Sequence, residues 1–201
     1  MQRSICSDTN AFFALSAAGG SGGEKRRYQR RTVWQRDPGQ KGGNHRLRSD
    51  RFHDSEAFRA FGAEVYAYAR HEREEVKAAG IAYKPLDDLL RECDIISLHT
   101  PNNKETRGMI SAEKIALMKK SAIFINCARG LIVDSKALAQ ALNEGRIAGA
   151  AVDVFDCEPP IPTEEPLLHA KNTLLTPHVA FLSEEAWYAE RKSSFPMCTL
   201  I

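Results

Sequence analysis

Four short stretches of this 201-residue chain hold the residue types that could move protons or grip an anion: SLHTP (97–101), INCARG (125–130), VDVFDCEPP (152–160) and TPHVA (176–180). Arginine offers a carboxylate a planar fork of donors, and histidine titrates near neutral pH. A carboxylate beside the imidazole would orient it and raise its pKa. Arg129, Glu158 and His178 together therefore suffice for acid–base chemistry on an anionic substrate. Taken singly they are unremarkable. Arg129 reads as a surface cation after a strand, Glu158 as a solvated loop acid, and His99 and His178 as satisfied histidines at strand ends. Cys127 and Cys157 read as packing residues, because no assisting histidine is suggested by spacing. The five cysteines form no CxxC pair and no ligand spacing with the six histidines, so neither a disulfide framework nor a metal site is expected.

The elements that must position these residues form an alternating pattern from about residue 57 onward. Strands are expected at 63–69, 94–99, 122–128, 149–155 and 173–177, mostly as continuous apolar runs, the mark of strands covered on both faces. Helices are expected between and after them at 72–79, 86–93, 111–120, 135–145 and 183–190. Asp134 and Ser111 stand where they can cap two of those helices, and Gly145 where it can end one. Leu138, Ala141 and Leu142 should face the sheet, and Met109, Ile115 and Met118 should be core. Such alternation implies an α/β body around a parallel sheet. Each of the four chemical stretches starts in a strand and breaks out at its carboxyl end, the edge where open α/β sheets bind ligands.

With INCARG, DVFDCEPP and TPHVA in that order and at those intervals, residues 57–186 resemble the NAD(P)-binding domain of the D-isomer-specific 2-hydroxyacid dehydrogenases. The resemblance implies a Rossmann-like parallel sheet with flanking helices. It implies that Arg129 binds the substrate carboxylate and carbonyl, that His178 is the general acid/base and that Glu158 is its partner. Asp153 would contact the nicotinamide carboxamide, and His99, Thr100, Pro101, Cys127 and Ala128 would line the cofactor cleft. The implied reaction is hydride transfer between NAD or NADP and a small 2-hydroxy or 2-oxo acid. Family members pair through this domain, so a homodimer is expected.

The flanks do not fit. Residues 1–55 carry eleven Lys/Arg against five Asp/Glu and only four Leu, Ile or Val, too few to stabilise a core. Counted back from the second strand, the glycines that would let backbone amides approach a pyrophosphate fall on Arg46, Arg48 and Arg51. Arginine codons can contain shifted glycine codons, and residues 44–58 read in that frame permit a glycine-rich cofactor loop. A shift the other way over 186–199 permits a family-like helix. Residues 1–56 are accordingly expected to be a basic, Gly/Arg-rich segment that is disordered or translated out of frame, residues 187–201 an aberrant tail translated out of frame, and the sheet to be incomplete at its N-terminal side, without its first strand. The second strand ends at Ala69 and Arg70 with no acid to bind ribose hydroxyls, which resembles NADP users, although a solvated basic turn accounts for it equally. No run is long enough to span a bilayer, and a reducing cytoplasm fits the cysteines. Two other readings stay open: a non-catalytic nucleotide-binding or dimerisation module, and, disfavoured for want of interleaved aromatics, nucleic-acid binding by the basic arm EKRRYQRR (24–31).

Overall fold

The protein is seen in a computed structural model that describes residues 31–35 (as backbone), 59, 63–157 and 160–180. Among the described residues seven strands form one parallel sheet: β1 (Arg31–Gln35), β2 (Glu64–Tyr68), β3 (Ala82–Tyr83), β4 (Ile95–Leu98), β5 (Ile123–Asn126), β6 (Gly149–Val152) and β7 (Thr173–Leu175). Their order is β3-β2-β1-β4-β5-β6-β7, so the direction of winding reverses between β1 and β4, where open α/β sheets form their ligand crevice. Helices α1 (Glu74–Ala78), α2 (Leu86–Glu92), α3 (Ala112–Ala116) and α4 (Ser135–Asn143) lie between the strands.

The central strands are buried on both faces, and their side chains sort with a period of two. Ile96, Leu98, Phe124, Ala150 and Val152 join a core with Leu89, Leu90, Ile115, Leu138 and Leu142 from α2, α3 and α4. Ile95, Ile123, Ile125 and Ala151 point the other way, into a core with Val65, Ala67 and Val76. Cys93, at the end of α2, is buried in the first core, and burial pushes its thiol pKa up to about 12.

Local signals act as expected. The Asp134 carboxylate accepts from the Ala137 amide at 3.0 Å, and the Ser111 hydroxyl from the Lys114 amide at 3.5 Å, each relieving an orphan donor at a helix start. Gly145 takes φ +65° after α4, a conformation that costs glycine little. Met109 is half-buried against the core that holds Ile115 and Met118.

One expectation is corrected. The sheet does not lack its first strand: Arg31–Gln35, within the segment expected to be basic and out of frame, pairs with β2 on one side and β4 on the other. A gap there would leave two inward rows of backbone N–H and C=O groups unpaired, and such groups are costly to bury. RTVWQ contains strand-forming types despite its arginine-rich surroundings. Strand β3 was also missed, since two residues carry no periodicity. The rest of the out-of-frame proposal, including Arg46, Arg48, Arg51, residues 187–201 and the helix expected at 183–190, lies outside the described residues.

Candidate active site at the carboxyl edge

Because every strand runs the same way, the segments leaving β2, β4, β5, β6 and β7 emerge at one edge. Arg129 stands three residues past the end of β5, Asp153 directly after β6, and His178 three residues past β7. Backbone bonds stitch these exits together. Asp153 N donates to Asn126 O at 3.0 Å, Thr176 N to Val152 O at 3.0 Å, and His178 N to Asp153 O at 2.7 Å. The structure thus brings the arginine and histidine segments to the same rim. Glu158 lies outside the described residues.

Asn126 shapes the Arg129 turn. Its buried side chain accepts from the Ala128 amide at 3.0 Å and donates to the Arg129 carbonyl at 3.1 Å. The exposed guanidinium donates to the Ala128 carbonyl at 2.6 Å, leaving most of its five donors to other partners. Gly130 follows because nothing larger fits: a Cβ there would lie 2.0 Å from the Phe155 carbonyl carbon. Cys127 is half-buried beside Ile125, and Ala128 is buried. Cys157 is exposed, which corrects the expectation that it packs: it lies in the turn after β6, beyond the reach of either core.

His178 is held with φ +57°, a region that non-glycine residues occupy only when their surroundings impose it. Asp153 supplies the constraint. Its carboxylate, 2% exposed, accepts from the Thr176 hydroxyl, from Val179 N at 2.9 Å and from Ala180 N at 3.0 Å. Three of the roughly four acceptor directions of a carboxylate are therefore used within the chain. The expected carboxamide contact accounts for none of the three; the observed task of Asp153 is to brace the turn carrying His178.

On the β4 side, His99 Nε2 is hydrogen-bonded to the buried Ser97 hydroxyl at 2.9 Å, and Pro101 is half-buried. Thr100 is buried, and its hydroxyl is the one fully buried side-chain polar atom among the described residues without a hydrogen-bond partner. An orphan of this kind calls for a partner, and it sits at the carboxyl edge of the sheet, two residues past β4. After β2, Ala69 is half-buried and Arg70 is exposed, with both terminal nitrogens on the Glu105 carboxylate. Asn126, Gly130, Glu105 and Thr176 were not singled out from the sequence. The polar Asn126 ending an apolar run was the only local cue.

Residues 55–180 match the model of the D-isomer specific 2-hydroxyacid dehydrogenase NAD-binding domain. A glyoxylate reductase of Korarchaeum cryptofilum is 47% identical over 128 residues, 63% of this chain and 38% of the relative. A D-3-phosphoglycerate dehydrogenase of Methanocaldococcus jannaschii is 45% identical over 131 residues, 64% of this chain and 24% of the relative. The chain thus spans well under half the length of either curated relative. Among solved structures, D-lactate dehydrogenase from Aquifex aeolicus in complex with NAD and lactic acid superposes with a TM-score of 0.76 at 27% identity, over 96% of this chain and 64% of that one. The chain belongs to the D-isomer specific 2-hydroxyacid dehydrogenase family, through that family's NAD-binding domain.

Proposed function

We propose that the chain supplies the cofactor side of a nicotinamide-dependent oxidoreductase acting on a small 2-hydroxy or 2-oxo acid. The observation that carries this reading is the stitched carboxyl edge, where backbone bonds tie the Arg129 and His178 segments together through Asn126 and Asp153. Arg129 grips the substrate carboxylate with its planar fork. His178 gives a proton to the substrate oxygen in one direction and removes it in the other, with Glu158 as its partner. Asp153 keeps the imidazole-bearing turn in place and has one acceptor direction left for a carboxamide. The nicotinamide of NAD or NADP, when bound, supplies or takes up the hydride. His99, Thr100, Pro101, Cys127 and Ala128 line its cleft, with Ala69 and Arg70 beside the adenosine ribose. The unpartnered Thr100 hydroxyl fits a polar ligand there.

The substrate proposed is a short 2-oxo acid of the glyoxylate or hydroxypyruvate type, taken up by a cytoplasmic homodimer. Mixing the purified chain with glyoxylate and NADH or NADPH and following absorbance tests the reading. Turnover of order 1–1000 per second, lost in His178→Gln, is the expected outcome for a competent enzyme. A second reading is a nucleotide-binding or dimerisation module without turnover, favoured by Arg46, Arg48 and Arg51 where the count back from β2 expects glycines; it would bind NADH, or only pair with a second copy, and leave glyoxylate unreduced. The out-of-frame origin of residues 1–56 and 187–201 is checked in the coding DNA, where AGA codons at those arginines would refute it. Failure to bind either dinucleotide would overturn the oxidoreductase and nucleotide-binding readings, and a monomer in solution the dimerisation one.

A further inference from the structure

We propose that Glu105 sets the choice between the two nicotinamide dinucleotides by competing with the cofactor's 2′-phosphate for Arg70. The inference rests on the dinucleotide reading above and concerns the adenosine end of the same edge.

A unit that prefers NAD places an acid at the end of its second strand to accept the ribose hydroxyls, whereas a nearby arginine accommodates the 2′-phosphate of NADP. The end of β2 has Ala69, Arg70 and His71 and no acid at that point. The tertiary structure brings one from elsewhere. Glu105, on the loop leaving β4 and 35 positions away, receives both terminal nitrogens of Arg70 on its two oxygens. Strand β1 lies between β2 and β4. The two loops therefore meet across the end of β1, over a span of two strand intervals, about 10 Å. That is the flank of the crevice at which the sheet reverses its winding.

Glu105 is not a loosely tethered surface acid. Its backbone N–H donates to the Asn103 side-chain oxygen at 2.9 Å, as does that of Thr106. Thr106 is buried, and its hydroxyl donates to the Pro101 carbonyl at 2.7 Å. The turn thus fixes the backbone from which Glu105 reaches Arg70. Both side chains remain 55% exposed, so the ion pair is in water and a competing anion can displace it. A 2′-phosphate, with between one and two negative charges, is such a competitor. On taking Arg70 it would stand beside a carboxylate that the turn keeps nearby, and like charges repel. A 2′-hydroxyl meets no such penalty, and the Glu105 carboxylate is the acceptor that the end of β2 lacks. Glu105 thereby turns a basic strand end into one that favours NADH.

The test is fluorescence titration of the full chain with NADH and with NADPH, in wild type, Glu105→Gln and Arg70→Ala, with circular dichroism to confirm that the exposed substitutions leave the fold intact. Removing the charge while keeping the shape should tighten NADPH binding about fivefold, the scale of an exposed charge pair, and leave NADH binding equal or weaker. Arg70→Ala should bind NADPH no better than wild type, since the phosphate then has no guanidinium. An NADPH-to-NADH ratio in Glu105→Gln within about twofold of wild type, below the coupling of such a pair, would overturn the inference while leaving dinucleotide binding intact. Binding of neither dinucleotide by wild type would overturn it together with the reading it rests on.

Discussion

At the end of β6 the Asp153 carboxylate is almost wholly buried and holds two backbone amides and a hydroxyl of the segment 176–180. At the end of β2 the Arg70 guanidinium holds the Glu105 carboxylate in solvent. The two contacts share one edge of one sheet and are both charge-assisted, yet their consequences differ. Removing an acceptor from a buried site leaves donors with no water to replace it, whereas removing one partner of an exposed pair returns the other to water. The half of the edge proposed to do chemistry is locked, and the half proposed to select the cofactor is adjustable.

Substitutions graded by expected effect can break that contrast. Gly130→Ala should cost the most, about 3 kcal/mol or more by urea denaturation, because its Cβ would meet the Phe155 backbone and not a movable side chain. A cost near zero would mean that the Arg129 turn is loose and the locked half is not locked. Asp153→Asn should cost about 2 kcal/mol, since an amide cannot accept from both Val179 and Ala180 while its NH2 faces their donors. Faster hydrogen exchange at those two amides, with the β5 amides unchanged, would localise the loss to the His178 turn.

Alkaline pH tests burial away from both loops. Cys93 has a folded-state pKa raised to about 12 from an ordinary 9.0, so the folded protein holds this proton more tightly than the unfolded chain. Its contribution is complete below pH 9 and is lost between about 9 and 12, at up to about 1.4 kcal/mol per pH unit. Cys93→Ala should flatten that slope in denaturation curves measured from pH 8 to 11. The smallest effect belongs to the adjustable half. Glu105→Ala should change stability by about 0.5 kcal/mol or less. A loss equal to that of Asp153→Asn would erase the distinction between the two halves.

Five strands were legible because β2, β4, β5, β6 and β7 are apolar runs bounded by polar turns, and α3 and α4 because Ser111 and Asp134 declare where they start. β1 was not legible: its arginine-rich neighbours outweigh the strand-forming Thr-Val-Trp, and only the presence of β2 and β4 on either side gives it a place. The rim holding Arg129 and His178 could be anticipated from strand ends alone. What Asp153 does there could not, since the sequence of a carboxylate does not say whether its lone pairs meet a ligand or the amides of residues 179 and 180.

The amino-acid sequence by itself determined the family, the parallel α/β body and the edge on which the arginine and histidine emerge, because period, strand direction and residue type are local properties that survive without coordinates. Only the tertiary structure decided that Asp153 clasps the His178 turn, that Gly130 cannot carry a side chain, and that Glu105 reaches Arg70 across 35 positions. Those outcomes depend on which backbone groups and charges the fold brings within hydrogen-bonding range, and that distance is written in no single stretch of the chain.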